Sequence, residues 1–572
     1  MLKLDLGYKG KLDPDIAVLF NDIAEQLRGS FTQIVSELSE PMKGEIDWWV
    51  ANPASRNTLA SPFFHYYCVL YLVDELFKKN YNISEIIVDS FALEKIIKKY
   101  IHLHGKSIPI KFNGKRIKLY FKNFVNPFIR IPFELFRHIY QFRCAQKTNQ
   151  LQKPIPNKPL TLIDVFVEPG YISKDRYYNG LWENLNNKQR ESTFFVPTFS
   201  GIPAWEILSA YEELRMADRN YLIKEDYLKI SDLVYAVGHY LRRLKIKISP
   251  TIVLGVEISP LVKEELRSMR GYSSAVESLL NYRFSKRLKE HKTKLYLIID
   301  YFENQVLDKG WNAGFNLHYP KITSLGYVGY VPPFNYLCCF PSKIESDCNL
   351  LPSVIGVIGS GFKKTIKKYA PDISVIEIPA FRFQHLWKQQ EKNEKENDYS
   401  ILIALTANLA ESINILNIVI EYINSSKSKE YYFYVKVHPI IKINILKKVI
   451  GNNLPNNIQF RKDDISDSLI KSNIVITGMS SVALESLALG LNVIIIESRS
   501  GLSYNSIPEE IPKDLWRLCH KSRDLQTAIH YFHKKDENLR NDNRNVYSEI
   551  KEKYFMPVTK KNVRNLLMLG LP

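Results

Sequence analysis

The chain has only six cysteines in 572 residues, Cys68, Cys144, Cys338, Cys339, Cys348 and Cys519, with no paired framework and no C-x-x-C spacing. That excludes a disulfide scaffold, leaves a structural zinc site without its usual ligand pattern, and implies a reducing compartment. No run of about 18 consecutive apolar residues occurs, and the N-terminus, MLKLDLGYKGKLDPD, lacks an uninterrupted apolar segment. The expectation is a cytoplasmic protein whose membrane contact is peripheral, at the inner face. No D-x-D motif stands in a loop after a strand, since Asp463-Asp464 precedes a helix and reads as a cap; an obligatory metal is therefore not expected. Short-period repeats and nucleic-acid-binding motifs are also missing.

What is present fits an ordinary globular protein, with 45% hydrophobic and 24% charged residues. The length exceeds what one core supports, so two domains of roughly 200 to 300 residues are expected. A net charge of +18 points to an anionic partner: nucleic acid, an anionic membrane surface, or a phosphate-bearing substrate.

Residues 1–45 read as a helical extension. From Ile46 an α/β alternation begins, with a helix over 61–79, an apolar strand at 85–89 and another helix. Strands follow at 160–167, 194–196, 295–299, 324–330 and 353–356, with helices at 204–217 and 260–289, giving a first domain over 46–385. The stretch 114–150 interrupts this rhythm as an insertion broken by Pro127 and Pro132. Residues 388–398 read as a solvated hinge. A second domain over 398–540 places strands at 401–406, 431–437, 458–460, 473–477 and 492–497 between helices at 409–424, 440–450, 465–471 and 481–489. Four or more such repeats predict a parallel, doubly wound sheet. Helices over 541–572 close the chain, one of them able to cross back onto the first domain.

Two loops carry the chemistry of the second domain. Lys436-Val437-His438-Pro439 stands where a buried strand ends, the place at which parallel sheets bind ligands; His438 can donate to a phosphate oxygen and Pro439 suits a first helical turn. Read alone, it is equally a surface His beside a helix-starting Pro. Thr477-Gly478-Met479-Ser480-Ser481 is strand, turn, hydroxyls and helix, a phosphate seat or a plain N-cap. The two loops are expected on neighbouring strand ends, with Glu485 one turn into the second helix.

Together these loops resemble the HP and SS motifs of bacterial sialyltransferases, polysialyltransferases and Kdo transferases. The resemblance implies a GT-B glycosyltransferase, two Rossmann-like domains facing across a cleft, with a CMP-sugar donor. Lys436, His438, Pro439, Gly478, Ser480 and Ser481 would then hold the donor phosphate and Glu485 would reach the ribose, without a cofactor. Teichoic-acid glycerophosphotransferases share a K-x-HP-like loop and a later S-S loop and bind a CDP-alcohol. Gly478 before the serines and Glu485 after them favour the sugar transferases. A nucleoside-diphosphate-hexose transferase of the same fold is a further alternative.

In the first domain, Trp48-Trp49, Ser55-Arg56-Asn57, Ser173 to Gly180 with its Asp175-Arg176-Tyr177, and Glu303-Asn304-Gln305 resemble, in that order, the blocks of a bacterial surface-carbohydrate biosynthesis family. The resemblance implies a glycan or lipid-linked oligosaccharide acceptor. Asp308 is the nearest match to that family's second acid. Glu303, just past a strand, can act as the catalytic carboxylate, as a base giving inversion or a nucleophile giving retention. Asp175 and Glu168 compete for that role, and any of them can be an ordinary loop carboxylate. Asp175 and Arg176 can also form a local ion pair.

The insertion sets Arg116, Lys118, Lys122, Arg130, Arg137, Arg143 and Lys147 among Phe121, Phe124, Phe128, Phe133 and Phe136. Three readings are open: a foot on an anionic membrane, ordinary packing, or nucleic-acid binding, which no accompanying motif supports.

Overall fold

The computed structural model describes residues 2–114, 116–388, 399–425, 431–451, 454–539 and 544–570. The hinge expected at 388–398 lies outside these residues but for Lys388, as do the side chains of Arg116, Lys118, Phe121, Lys122 and Phe124.

Among the described residues the chain forms three parallel sheets and a short hairpin. The smallest sheet holds β1 (Leu2–Asp5), β2 (Ile83–Val88) and β3 (Ile110–Phe112), in that order. The N-terminal segment is therefore more than a helical extension: helix Pro14–Ser39 follows a strand that pairs with β2 about eighty residues away. Four residues are too few to show a period-two pattern, and the partner is remote. The strand expected at 85–89 accordingly belongs to this small sheet. Trp48 and Trp49 are fully buried in its core, beside Phe20, Phe31 and Phe63.

The first large sheet contains β4 (Leu160–Val167) and β5 (Thr193–Phe199), then, after the hairpin β6 (Ile252–Val253) and β7 (Val256–Glu257), β8 (Leu295–Tyr301), β9 (Thr323–Val328), β10 (Val354–Val357) and β11 (Val375–Glu377). Its order is β11-β10-β9-β8-β4-β5, so the winding direction reverses between β4 and β8. The second contains β12 (Tyr399–Ala404), β13 (Tyr431–Lys436), β14 (Ile458–Phe460), β15 (Ile474–Thr477), β16 (Asn492–Ile496) and β17 (Trp516–Cys519). Its order, β14-β13-β12-β15-β16-β17, is the Rossmann order, with the reversal between β12 and β15. Helices cover both faces of such sheets, which is why β15 and β16 are buried at every position and apolar but for Thr477 and Asn492. Two doubly wound units of this kind make the α/β, GT-B architecture.

Two helices depart from expectation. The segment 260–289 is two helices, Ser259–Arg267 and Tyr272–Glu290, because Gly271 between them has φ +69° and a Cβ there would lie 2.4 Å from Asn52 Oδ1. The insertion is a single helix, Arg116–Thr148, that runs through both Pro127 and Pro132. Each proline costs roughly 3 kcal/mol inside a helix. Packing of Glu134, His138, Gln141, Cys144, Ala145 and Thr148 against the protein, all buried, outweighs that cost.

The end of the chain returns to the first large sheet. Met556 N–H donates to Ile358 O at 2.6 Å and Ala380 N–H to Met556 O at 2.9 Å. Val563, Leu566 and Leu567 enter a core that also holds Ile163 and Ile299 from the first large sheet and Leu484 and Val493 from the second unit.

Candidate functional site

In a doubly wound sheet, adjacent loops separate at the reversal and leave a crevice outside the carboxyl ends of the strands. At the reversal of the second sheet a cavity of about 750 Å³ opens, lined by Thr406, Asn408, Glu411, Met479, Ser498 and Ser500. Tyr8, Lys9, Leu59, Ala60 and Arg270 close it from the other side. The break at Gly271 leaves the adjacent Arg270 free of either helix, in the cavity wall.

Glu411, in the first turn of helix Leu409–Ser425, was not singled out by the sequence, where it is one more acid at a helix start. It accepts Met479 N–H at 2.8 Å and the Thr406 hydroxyl at 2.7 Å. Burial pushes its carboxyl above the usual range, against those two bonds. Gly478 has no room for a side chain, since a Cβ would sit 2.4 Å from Glu411 Oε1. The glycine is thus explained by a neighbouring carboxylate.

The two motif loops are not on adjacent strands, because β12 lies between β13 and β15. His438 is half-buried, and burial, seconded by Arg176, lowers its pKa, which keeps the ring neutral near pH 7. Its Nδ1 accepts Ile440 N–H at 3.3 Å. The remaining proton therefore sits on Nε2, a donor. Pro439 is exposed and lies four positions before the start of helix Ile443–Ile450, outside its first turn. Lys436 donates to the backbone carbonyl of Asp463 and so ties β13 to the loop after β14. Asp464 precedes helix Ile465–Ile470 without a side-chain cap bond, while Asp463 Oδ1 accepts the Ser468 hydroxyl at 2.9 Å.

Ser480 Oγ accepts Val482 N–H at 3.2 Å, and Ser481 donates to Glu485 Oε1 at 2.8 Å. Helix Val482–Ala488 has only seven residues, so its dipole is small. The N–H groups of Ser480 and Ser481, which make no hydrogen bond among the described residues, are the stronger feature for an anion. Glu485 is buried, with Oε2 3.1 Å from His385 Nε2. It holds the serine loop and does not project outward.

Glu303 follows β8, at the reversal of the first large sheet. Its Oε2 accepts from Gln305 Nε2 and from Tyr336 Oη, the latter at 3.3 Å, while Oε1 has no hydrogen-bond partner among the described residues. Burial pushes the carboxyl above its ordinary range, against the Arg382 guanidinium and these two bonds. Asn304 has φ +57° and accepts from Lys309, whose Nζ also lies 2.7 Å from Glu345. Glu345 in turn pairs with Arg56 at 2.7 Å, and Asn57 donates to Gln305 Oε1 at 3.1 Å. The Arg56-Asn57 and Glu303-Asn304-Gln305 blocks, about 250 residues apart, are thus one buried network. Asn57 runs directly into the Leu59-Ala60 wall of the cavity. Asp308 accepts the Glu303 and Gln305 N–H groups at 3.0 and 2.8 Å and shares a capping box with Gln305, so it shapes this loop from behind.

Asp175 is also a shaping residue. Its Oδ1 accepts Tyr177 and Tyr178 N–H, each at 2.8 Å, and its Oδ2 pairs with Arg219 at 2.6 Å, leaving neither oxygen for a substrate. The local Asp175–Arg176 ion pair does not form: Arg176 pairs with Glu168, which also accepts the Tyr177 hydroxyl at 3.0 Å. The Arg176 charge helps lower the His438 pKa.

Arg382, which no sequence pattern marked, bonds Tyr301 Oη at 3.1 Å and acts electrostatically on both Glu303 and Glu485. Arg382 is thus shared electrostatically between Glu303, at the reversal of the first large sheet, and Glu485, in the helix that follows β15. Among the described residues no cluster of three His, Cys, Asp or Glu side chains has metal-holding geometry.

No family model matches this chain, and no curated protein matches it. Solved structures with a partial likeness include an S. aureus MnaA-UDP co-structure, 12% identical with a TM-score of 0.41, covering 72% of this chain and 97% of that one. A glycotransferase of kitacinnamycin is 8% identical at a TM-score of 0.41, covering 73% and 100%. The glycosyltransferase SnogD from Streptomyces nogalater is 10% identical at 0.39, covering 72% and 100%. The strand orders above, rather than these alignments, identify the architecture.

Proposed function

We propose that this protein is a glycosyltransferase that holds a nucleotide sugar at the reversal of its second sheet and uses Glu303 on the acceptor. The donor we infer is a CMP-activated eight- or nine-carbon ulosonic acid, and the acceptor a surface glycan or lipid-linked oligosaccharide, met in the cytoplasm. The observation that carries this reading is that Arg382 acts on Glu303 in the first unit and on Glu485, which holds the serine loop, in the second, so that the two loops lie within electrostatic reach of one guanidinium. The first unit brings Glu303 with an unshared oxygen, and the second brings the Nε2–H of His438 and the free N–H groups of Ser480 and Ser481.

Glycosyl transfer needs charge stabilised on the departing phosphate and a proton removed from the attacking hydroxyl. Neutral His438 donates to a phosphate oxygen through Nε2 without adding a full charge. Lys9 and Arg270 line the cavity at the second reversal, while Arg176 acts on His438 and Arg382 on Glu303; these cations suit a donor bearing a phosphodiester and a sugar carboxylate. Glu303, with its raised pKa, is a stronger base than a solvated carboxylate and accepts the acceptor's proton on Oε1. Glu485 and His385 keep the serine loop in place.

The test is a thermal-shift panel of CMP, CDP, UDP, GDP and ADP on wild type and His438→Ala, since a ligand of the folded state raises Tm by mass action. Stabilisation by CMP that disappears in the variant is expected. Preference for UDP or GDP would move the donor to a nucleoside-diphosphate hexose. CDP preference with a phosphodiester product would make the enzyme a polyol phosphotransferase. No response to any nucleotide would overturn the reading.

A further inference from the structure

Helix Arg116–Thr148 carries apolar side chains outward as well as inward. Its protein-facing side packs Ile131, Leu135, Ile139, Cys144 and Ala145 against the core and buries Glu134, His138, Gln141 and Thr148 among them. Glu134 accepts the Ser273 hydroxyl and pairs with Arg137 at 3.0 Å, and burial drops the His138 pKa to about 4, so the polar groups of the inner face are satisfied or neutral within the protein. The opposite face presents Ile129, Phe133, Phe136 and Tyr140, spaced four, three and four residues apart, with Phe128 beside them. Phe128 is 71% exposed, Ile129 63%, Phe133 57% and Phe136 69%. Helix Ile230–Val237 packs alongside and adds Ile230 and Val234, both exposed. Arg143 and Lys147 continue the aromatic row one and two turns further on, and Arg130 flanks it, all three exposed. The only acid in this helix is the buried Glu134.

We propose that this face docks on an anionic lipid bilayer, with the aromatic row entering the headgroup–acyl boundary and Arg130, Arg143 and Lys147 meeting the headgroups. Three observations select that occupant. The exposed row is apolar and aromatic, as interfacial helices are. Its flanks carry one sign of charge, complementary to anionic lipid. A second copy of this chain would bring the same cations against each other, on a protein already at +18. The proposal goes beyond the cleft and does not depend on what the cleft binds.

Full-length protein is to be sedimented with vesicles of phosphatidylcholine, with and without phosphatidylglycerol. Binding to the anionic vesicles alone is expected, weakening as salt rises past the ~0.1 M range where surface charges are screened. Phe133→Ser with Phe136→Ser should lower partitioning on the order of 10-fold, and Arg143→Glu with Lys147→Glu should remove the preference for anionic lipid. These side chains are solvent-facing, so circular dichroism and the nucleotide thermal shift of both variants should match wild type. Equal partitioning of wild type and the serine variant would overturn the proposal. So would a dimer in solution that the serine substitutions dissociate, which would make this face a contact between copies.

Discussion

Because Glu303 Oε2 takes both Tyr336 and Gln305, the proton of an attacking hydroxyl has one place to go, Oε1. Glu303→Gln keeps the shape and removes the base, so turnover should fall by roughly 10²-fold or more while nucleotide thermal shifts stay unchanged. A base must be ionised, so the rate should drop as pH falls through an apparent pKa above the ordinary carboxylate value of about 4.3. Arg382 lowers that pKa, so Arg382→Gln should move the acidic limb to higher pH; a limb that stays in place would separate Arg382 from Glu303. Glu345 makes a different kind of prediction. Burial alone would push its carboxyl up, but Arg56 and Lys309 outweigh burial and hold it at about 2. A depressed carboxyl contributes stability that is full above its unfolded pKa and is lost as pH falls toward the folded one. Glu345→Gln should therefore cost about 3 kcal/mol near neutrality, by leaving two buried cations short of a partner, and denaturant titrations should show that deficit shrinking below about pH 4.

Elements of the second sheet were legible to within about two residues, because β12, β13, β15 and β16 are apolar runs separated by amphipathic helices. Strands β1, β3, β11 and β17 were not, being three or four residues long and paired with partners the local pattern cannot reveal. Sheet order also escaped the sequence, which is why the His438 and Ser480 loops read as neighbours although β12 separates them. In the candidate site, Glu303 was readable because three polar residues in a row follow a buried strand. Arg382 was not, since a lone arginine in a short 3₁₀ segment carries no periodicity. Gly478 shows how one element constrains another: Gly478→Ala should drive its methyl into Glu411 Oε1, destabilising by about 1–3 kcal/mol and displacing the Met479–Ser481 loop. Gly478→Ala combined with Glu411→Ala should regain part of the loss, and a double variant no more stable than the sum of its singles would refute that coupling.

The two large sheets are not independent bodies at the scale of the whole molecule, because one core runs from Ile163 and Ile299 through Leu484 and Val493 and is completed by Tyr554, Phe555, Val563 and Leu566 from the end of the chain. That tail acts as the shared wall of both units. It passes close to Gly359, where a Cβ would lie 2.4 Å from the Tyr554 carbonyl carbon, a backbone atom that cannot rotate away. Phe362 packs edge-on to the Tyr554 ring at 5.1 Å just beyond. Gly359→Ala must therefore push the returning strap outward, at a cost on the order of 1–3 kcal/mol, and the cost falls on contacts common to both units. Calorimetry should show wild type unfolding in one transition and Gly359→Ala in two, with the first at lower temperature. The cleft residues belong to opposite units, Glu303 to the first and His438 to the second, so the same substitution should slow transfer without removing nucleotide binding to the second sheet. One transition at the wild-type Tm in the variant would mean that the sheets are held together elsewhere, by ties such as Ser503 N–H to Asn21 at 2.7 Å and Lys521 to Asp15 at 2.7 Å.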